Sequence, residues 1–168
     1  MKTDNIIDHI TQWLRGYAQS SDMDGFAVGI SGGIDSAVTS CLCALTGLNV
    51  WAIHMPIYQE KDQVERAVRH MEWLAGLFPG VTTHDLDMTN MFAGIFQGLP
   101  PDVQTDDLAM ANTRSRLRML ALYAFAGHHH LLVAGTGNKI EDFGVGFFTK
   151  YGDGGVDLSP IGDLTKSQ

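Results

Sequence analysis

The sequence predicts an α/β fold: a doubly wound, open parallel sheet with helices on both faces. Three observations carry that expectation. Short apolar runs alternate with longer stretches whose apolar residues recur at helical spacing. A glycine-rich turn follows the first apolar run, where such sheets present their carboxyl ends to ligands. No repeat, low-complexity tract or linker divides the 168 residues, so 1–168 reads as one domain. At 45% hydrophobic and 18% charged, the chain holds enough apolar material for a packed core.

The elements follow in order. Ile6, Ile7, Ile10, Trp13, Leu14 and Tyr17 share one helical face, which makes 4–19 an amphipathic helix. "GFAVGI" (25–30) is a buried strand. "DSAVTSCLCAL" (35–45) is a helix that Gly47 stops, and "NVWAIHM" (49–55) a second strand halted by Pro56. Val64, Ala67, Val68, Met71 and Leu74 line one face of a helix over 59–78. "VTTHDLDM" (81–88) is a weaker strand. Residues 89–103, with Gly98, Pro100 and Pro101, read as irregular. A long helix over about 105–127 leads to a fourth strand, "HLLVAG" (130–135). The rest is glycine-rich until "DLTKSQ", which reads as a helix start capped by Asp163 or Thr165. A domain seldom ends where a helix begins, so the chain is expected to lack its C-terminal part.

Charge and cysteine usage narrow the function classes. Net charge is −8, from 19 acids and 11 bases, and such a chain repels polyanions. Nucleic-acid binding is therefore not expected, whereas a local basic pocket for a small anion stays open. Cys41 and Cys43 are two apart within a helix, so they make no CxxC pair and read as small residues of a reduced, cytosolic protein. The polar, acidic start "MKTDNIIDHI" is no signal peptide, and no apolar run has the ~18 residues of a membrane helix. The expectation is a soluble, cytoplasmic protein that does not contact a membrane.

The chemistry concentrates in four segments. "GISGGIDS" (29–36) follows the first strand. Gly32 and Gly33 permit positive φ and close backbone approach, and the amides of the turn and the next helix cradle an anion. Ser31 and Ser36 add hydroxyls. The lysine of a Walker loop is absent, and the spacing of a GxGxxG loop fails. In "NTRSRLRMLALY" (112–123), Asn112, Arg116 and Tyr123 share a helix face, with Arg114 and Arg118 on flanking faces. The arginines are either a solvated face paired with acids or a clamp for phosphate or carboxylate. "GTGNKIE" (135–141) offers Thr136 at the sheet's carboxyl edge, with Glu141 in reach of the crevice of Asp35, where the two would hold magnesium with substrate phosphates. "GFFTKYGDGGVDLSPIGDLTK" (146–166) carries Lys150, Asp153, Asp157 and Lys166 in a frame typical of functional loops.

The first string resembles the pyrophosphate loop of the adenylating ATP pyrophosphatases, whose fold is adenine nucleotide alpha hydrolase-like. Together the four resemble the ammonia-dependent NAD synthetases over roughly residues 25–168. The resemblance implies a homodimeric ligase that amidates deamido-NAD with ammonia, consuming ATP as co-substrate and requiring Mg2+. The nicotinate carboxylate attacks the α-phosphorus, pyrophosphate leaves, and ammonia converts the acyl-adenylate to NAD and AMP.

Carried over by position, Gly29, Ile30, Ser31, Gly32, Gly33, Ile34, Asp35 and Ser36 match the ATP loop. Thr136 and Lys166 match further ATP contacts, and Asp35 and Glu141 the metal ligands. Asn112, Arg116, Tyr123, Lys150 and Asp157 form the candidate deamido-NAD site, and Asp153 matches an acid of the reaction-centre loop that takes a proton from ammonium. His54 stands where some relatives carry an arginine near the adenine, and Gln59 is the candidate adenine contact. Neither cysteine has the setting of a glutaminase nucleophile, so free ammonia is the expected nitrogen source. The alternatives are another adenylating enzyme of the superfamily and a non-catalytic nucleotide-binding module.

Overall fold

Four strands, β1 (Gly25–Ile30), β2 (Asn49–His54), β3 (Val81–Asp85) and β4 (Leu131–Ala134), form the centre of the computed structural model, which describes residues 3–167. They pair in parallel in the order β3-β2-β1-β4. The chain winds outward from β1 to β3, then returns to place β4 on the other side of β1. That reversal is the switch point at which open α/β sheets bind ligands.

Both faces of the sheet are covered, which is why β1 and β4 read as near-continuous apolar runs. Phe26, Val28, Ile30, Val50, Ala52, Leu132 and Ala134 pack on one face. They meet α1 (Thr3–Ser20), α2 (Ile34–Leu45) and α3 (Lys61–Leu77) through residues such as Leu14, Leu42 and Met71. Ala27, Ile53, Leu131 and Val133 face the other way, toward α6 (Asp107–His129) and α4 (Thr89–Gly98). Arg15 of α1 donates from Nε to Thr46 O at the end of α2 (2.8 Å), fixing one helix against the next. Cys43 is buried and Cys41 half-buried; burial raises both thiols, which leaves them poor nucleophiles.

The doubly wound parallel architecture is the one the sequence predicts, with three local corrections. Residues 89–103 are not irregular: α4 is followed by a short α5 (Pro101–Gln104). Met88, Phe92 and Phe96 recur every four residues and pack into the second core, and Pro101 occupies a first-turn position it suits. His130 does not open β4 but closes α6 in the left-handed conformation (φ 55°), a place more often taken by glycine. No helix begins at "DLTKSQ" among the described residues, and neither Asp163 nor Thr165 caps one. Ile161 is buried there and Leu164 O accepts from Lys139 N–H (2.9 Å), so packing holds this stretch in turns.

Candidate active site

A cavity of about 310 Å³ opens at the carboxyl ends of β1, β2 and β4. Met55, Met119 and Leu122 give it apolar walls, while Ser31, Gln59, Thr136 and Asp153 supply polar groups. Gly29 and Ile30 bring it to the mouth of the serine-glycine loop.

That loop is internally braced. Ser31 N–H donates to Ser36 Oγ (3.2 Å), Ser36 Oγ donates to Gly33 O (2.9 Å), and Gly33 N–H donates to Ser31 Oγ (3.2 Å). Gly32 has φ +80°, and a Cβ there would strike the Gln63 carbonyl of α3. Glycine is therefore required on two grounds, conformation and space. Arg66 Nε donates to Gly32 O (3.2 Å), a second tie to α3. Gly33 provides no side-chain cap to α2, so the first-turn amides are left for an anion, with the helix dipole in support.

Beside the loop, Asp35 and Glu141 converge on one cation. Lys166 Nζ lies 2.7 Å from Glu141 Oε1 and 3.6 Å from Asp35 Oδ2. The Glu141 hydrogen bond raises the Lys166 pKa, with the Asp35 charge acting the same way, so the ammonium stays charged. Glu141 lies in a π-helical turn (Ile140–Val145) whose N–H groups at Ile140 and Glu141 donate to Asn138 Oδ1 (3.0 and 3.2 Å). Two hard carboxylates around one cationic centre fit a magnesium ion. Among the described residues no group of three or more His, Cys, Asp or Glu could hold a metal, so substrate oxygens would have to complete its shell.

The opposite wall is the glycine-rich segment, held on α6 by four side chains. Thr149 Oγ1 donates to Asn112 Oδ1 (2.8 Å), Ser115 Oγ to Asp153 Oδ1 (2.7 Å), Arg116 Nε to Lys150 O (3.1 Å) and Tyr123 OH to Asp157 Oδ1 (3.0 Å). Asp157 also accepts from Val133 N–H through Oδ2 (2.8 Å), linking the segment to β4. Burial, then the bond to Asp157, pushes the Tyr123 pKa up to about 12. Burial, with Asp153 and Glu141 nearby, raises the Asp142 carboxyl as well.

The structure thus brings Ser31, Gln59, Thr136 and Asp153 to one cavity and sets Asp35, Glu141 and Lys166 together beside it. Arg116, Tyr123 and Lys150 line a second, more open hollow that adjoins the first, with Met119 and Val156 lining both. Asn112 and Asp157 instead spend their side chains tying the segment down. The arginines form no shared clamp. Arg114 lies over the Phe92 ring (5.4 Å), and Arg118 donates to Met55 O (2.8 Å) and to Gln59 Oε1 (3.3 Å). Buried His54 sits 3.0 Å from Asp85 through Nδ1, at the end of β2. The sequence reading missed Ser115, Asn138 and the apolar walls. Only Asn138 carries a local signal, since an Asn two and three residues ahead of free amides is a capping pattern.

A braced glycine loop at the switch point of a parallel sheet, facing a cavity with apolar walls, is the arrangement in which open α/β domains bind ligands. The model of the family NAD synthase matches residues 6–168, and the chain belongs to that family. It is 37% identical over 165 residues to the NH(3)-dependent NAD(+) synthetase of Methanosarcina acetivorans, covering 96% of this chain and 62% of that one. The Archaeoglobus fulgidus enzyme of the same name is 38% identical over 173 residues, covering 100% and 66%. Among solved structures, the NH3-dependent NAD synthetase from Campylobacter jejuni superposes with a TM-score of 0.89 at 29% identity, over 99% of this chain and 70% of that one. NMN synthetase from Francisella tularensis gives 0.91 at 29% identity, over 99% and 67%. The chain spans 56 to 66% of the length of the first four curated relatives.

Proposed function

We propose that this chain carries out the ATP-dependent amidation of deamido-NAD with ammonia, giving NAD, AMP and pyrophosphate through an acyl-adenylate. One observation carries the reading: the braced serine-glycine loop and the Asp153 segment line one cavity. A nucleotide held by the first presents its reacting phosphorus toward the second.

The loop amides, Ser31, Ser36 and the start of α2 bind the triphosphate, and Thr136 and Gln59 contact the rest of ATP. Asp35 and Glu141 would hold magnesium, which when bound neutralises charge on the departing pyrophosphate. Lys150 and Lys166 offset the remaining charge. Arg116 and Tyr123 orient deamido-NAD from the open hollow, whose edge Lys150 shares. Its carboxylate oxygen attacks the α-phosphorus, and the acyl carbon becomes open to a nitrogen nucleophile. Asp153 accepts a proton from ammonium: one N–H bond breaks, one O–H bond forms, and ammonia keeps the electron pair for attack.

A homodimer and a cytoplasmic location belong to the same reading. No described helix is long and apolar enough to cross a membrane. Incubation with deamido-NAD, ATP, magnesium and ammonium should yield NAD and AMP in equal amounts, and sedimentation should give twice the chain mass. No NAD from any nitrogen source overturns the activity. ATP binding that needs no metal and is indifferent to Asp35→Ala identifies a non-catalytic nucleotide-binding module instead.

A further inference from the structure

Asp153 is exposed on a glycine-rich turn, a setting in which a carboxylate ordinarily samples several rotamers. Here it has one. Ser115 Oγ donates to Asp153 Oδ1 at 2.7 Å and accepts from the Asp153 N–H at 2.9 Å. A single hydroxyl thus grips the backbone and the side chain of the same residue, using both its donor and its acceptor capacity. Thr149 N–H donates to the same Oδ1 (2.9 Å), closing the turn from the other side. Oδ2 takes no hydrogen bond among the described residues, and both Ser115 and Asp153 line the cavity. The fit is close: a Cβ on Gly152 would strike Ser115 Oγ, so glycine there makes room for the grip.

We infer that Ser115 is a positioning residue. It commits Asp153 Oδ1 to the scaffold so that Oδ2 alone is presented to the incoming cation. The inference rests on the proposed role of Asp153 as acceptor of the ammonium proton. A hydroxyl is essential, because alanine removes both direct bonds from α6 to Asp153 at once and leaves the indirect tie through Thr149 and Asn112. Positioning matters to a proton acceptor because small misplacements of a reacting group cost large factors in rate.

The test uses the chain with Ser115→Ala and Ser115→Thr, read in two ways. Amide hydrogen exchange at Thr149 and Asp153, which needs no turnover, should accelerate about tenfold in the alanine variant and return close to wild type in the threonine variant. Steady-state kinetics should show kcat/KM for ammonium falling about tenfold in Ser115→Ala, with KM for ATP unchanged and recovery in Ser115→Thr. Alanine is a better helix former than serine, so α6 survives the change. Unchanged exchange in Ser115→Ala overturns the inference. So does accelerated exchange with ammonium use intact, or a threonine variant that behaves like alanine. A wild-type chain that makes no NAD sinks the functional reading, and exchange then decides alone whether Ser115 holds Asp153.

Discussion

The loop over 31–36 and the segment over 149–157 face the same cavity and are held by different means. The loop is braced locally: its bonds run among neighbouring residues through the Ser31 and Ser36 hydroxyls, and Gly32 is wedged against a main-chain carbonyl of α3. The segment leans on side chains reaching in from α6, 34 to 38 residues away in sequence. A loop braced by its own serines needs only β1, α2 and the packing of α3 against Gly32. A substrate wall hung from another helix depends on that helix keeping its rotation and on each reaching group. The first is braced mostly within its own stretch of chain, with α3 as its outside support, and the second is conditional.

The contrast breaks most sharply at Gly32. Gly32→Ala imposes a left-handed alanine on top of a clash with Gln63 O, at a cost of about 2 kcal/mol or more. ATP affinity measured by calorimetry should fall at least about 100-fold, or about 2.7 kcal/mol, while far-UV circular dichroism stays near wild type. An alanine variant that binds ATP normally would show that the loop is not fixed in advance. Next comes Asp35→Asn, which leaves the loop backbone intact and removes one charge from the cation position. Titration with magnesium present should show ATP binding weakened about tenfold, and with chelator present no change. Equal loss in both conditions would detach Asp35 from the metal.

On the conditional side the effects are smaller. Asn112→Ala deletes one of the four ties, and urea denaturation should register about 1 kcal/mol of lost stability. Exchange should quicken around 149–155 and stay constant over 31–36. Uniform loosening of both would erase the distinction. The smallest effect is a titration. The Tyr123 phenol has its pKa raised above the unfolded value, so it contributes stability that is complete below about pH 10 and lost as pH rises toward about 12. Absorbance at high pH should place its ionisation near the upper value, and Asp157→Asn should lower it.

Much of this was legible in the sequence, and what was not has a physical reason. The four strands and the serine-glycine turn are local: period, glycine and hydroxyl spacing declare them. Asp35 and Glu141 are 106 positions apart and still meet, because both follow strands that end at the same sheet edge. Ser115 was passed over because its value depends on which residue of a distant turn arrives opposite it. The arginines scatter for a similar reason. Arg114, Arg116 and Arg118 look like a cluster in sequence, but the helix sends them to a phenyl ring, a turn carbonyl and the end of β2. α4 was hidden by Gly98, Pro100 and Pro101, which lie at its far end and beyond, outside the stripe of Met88, Phe92 and Phe96.

Lys166 turns the acidic corner of the site into something like an ion exchanger stored in its ammonium form. Its Nζ is tethered to the chain, so dilution never removes it and a competing cation always meets it at the same local concentration. Stray divalent ions must displace a neighbour that cannot diffuse away. A nucleotide changes the terms of exchange, since its phosphates offer Lys166 another place to dock at the moment the carboxylates are asked to give it up. On the proposed function, metal and nucleotide would thereby be admitted together.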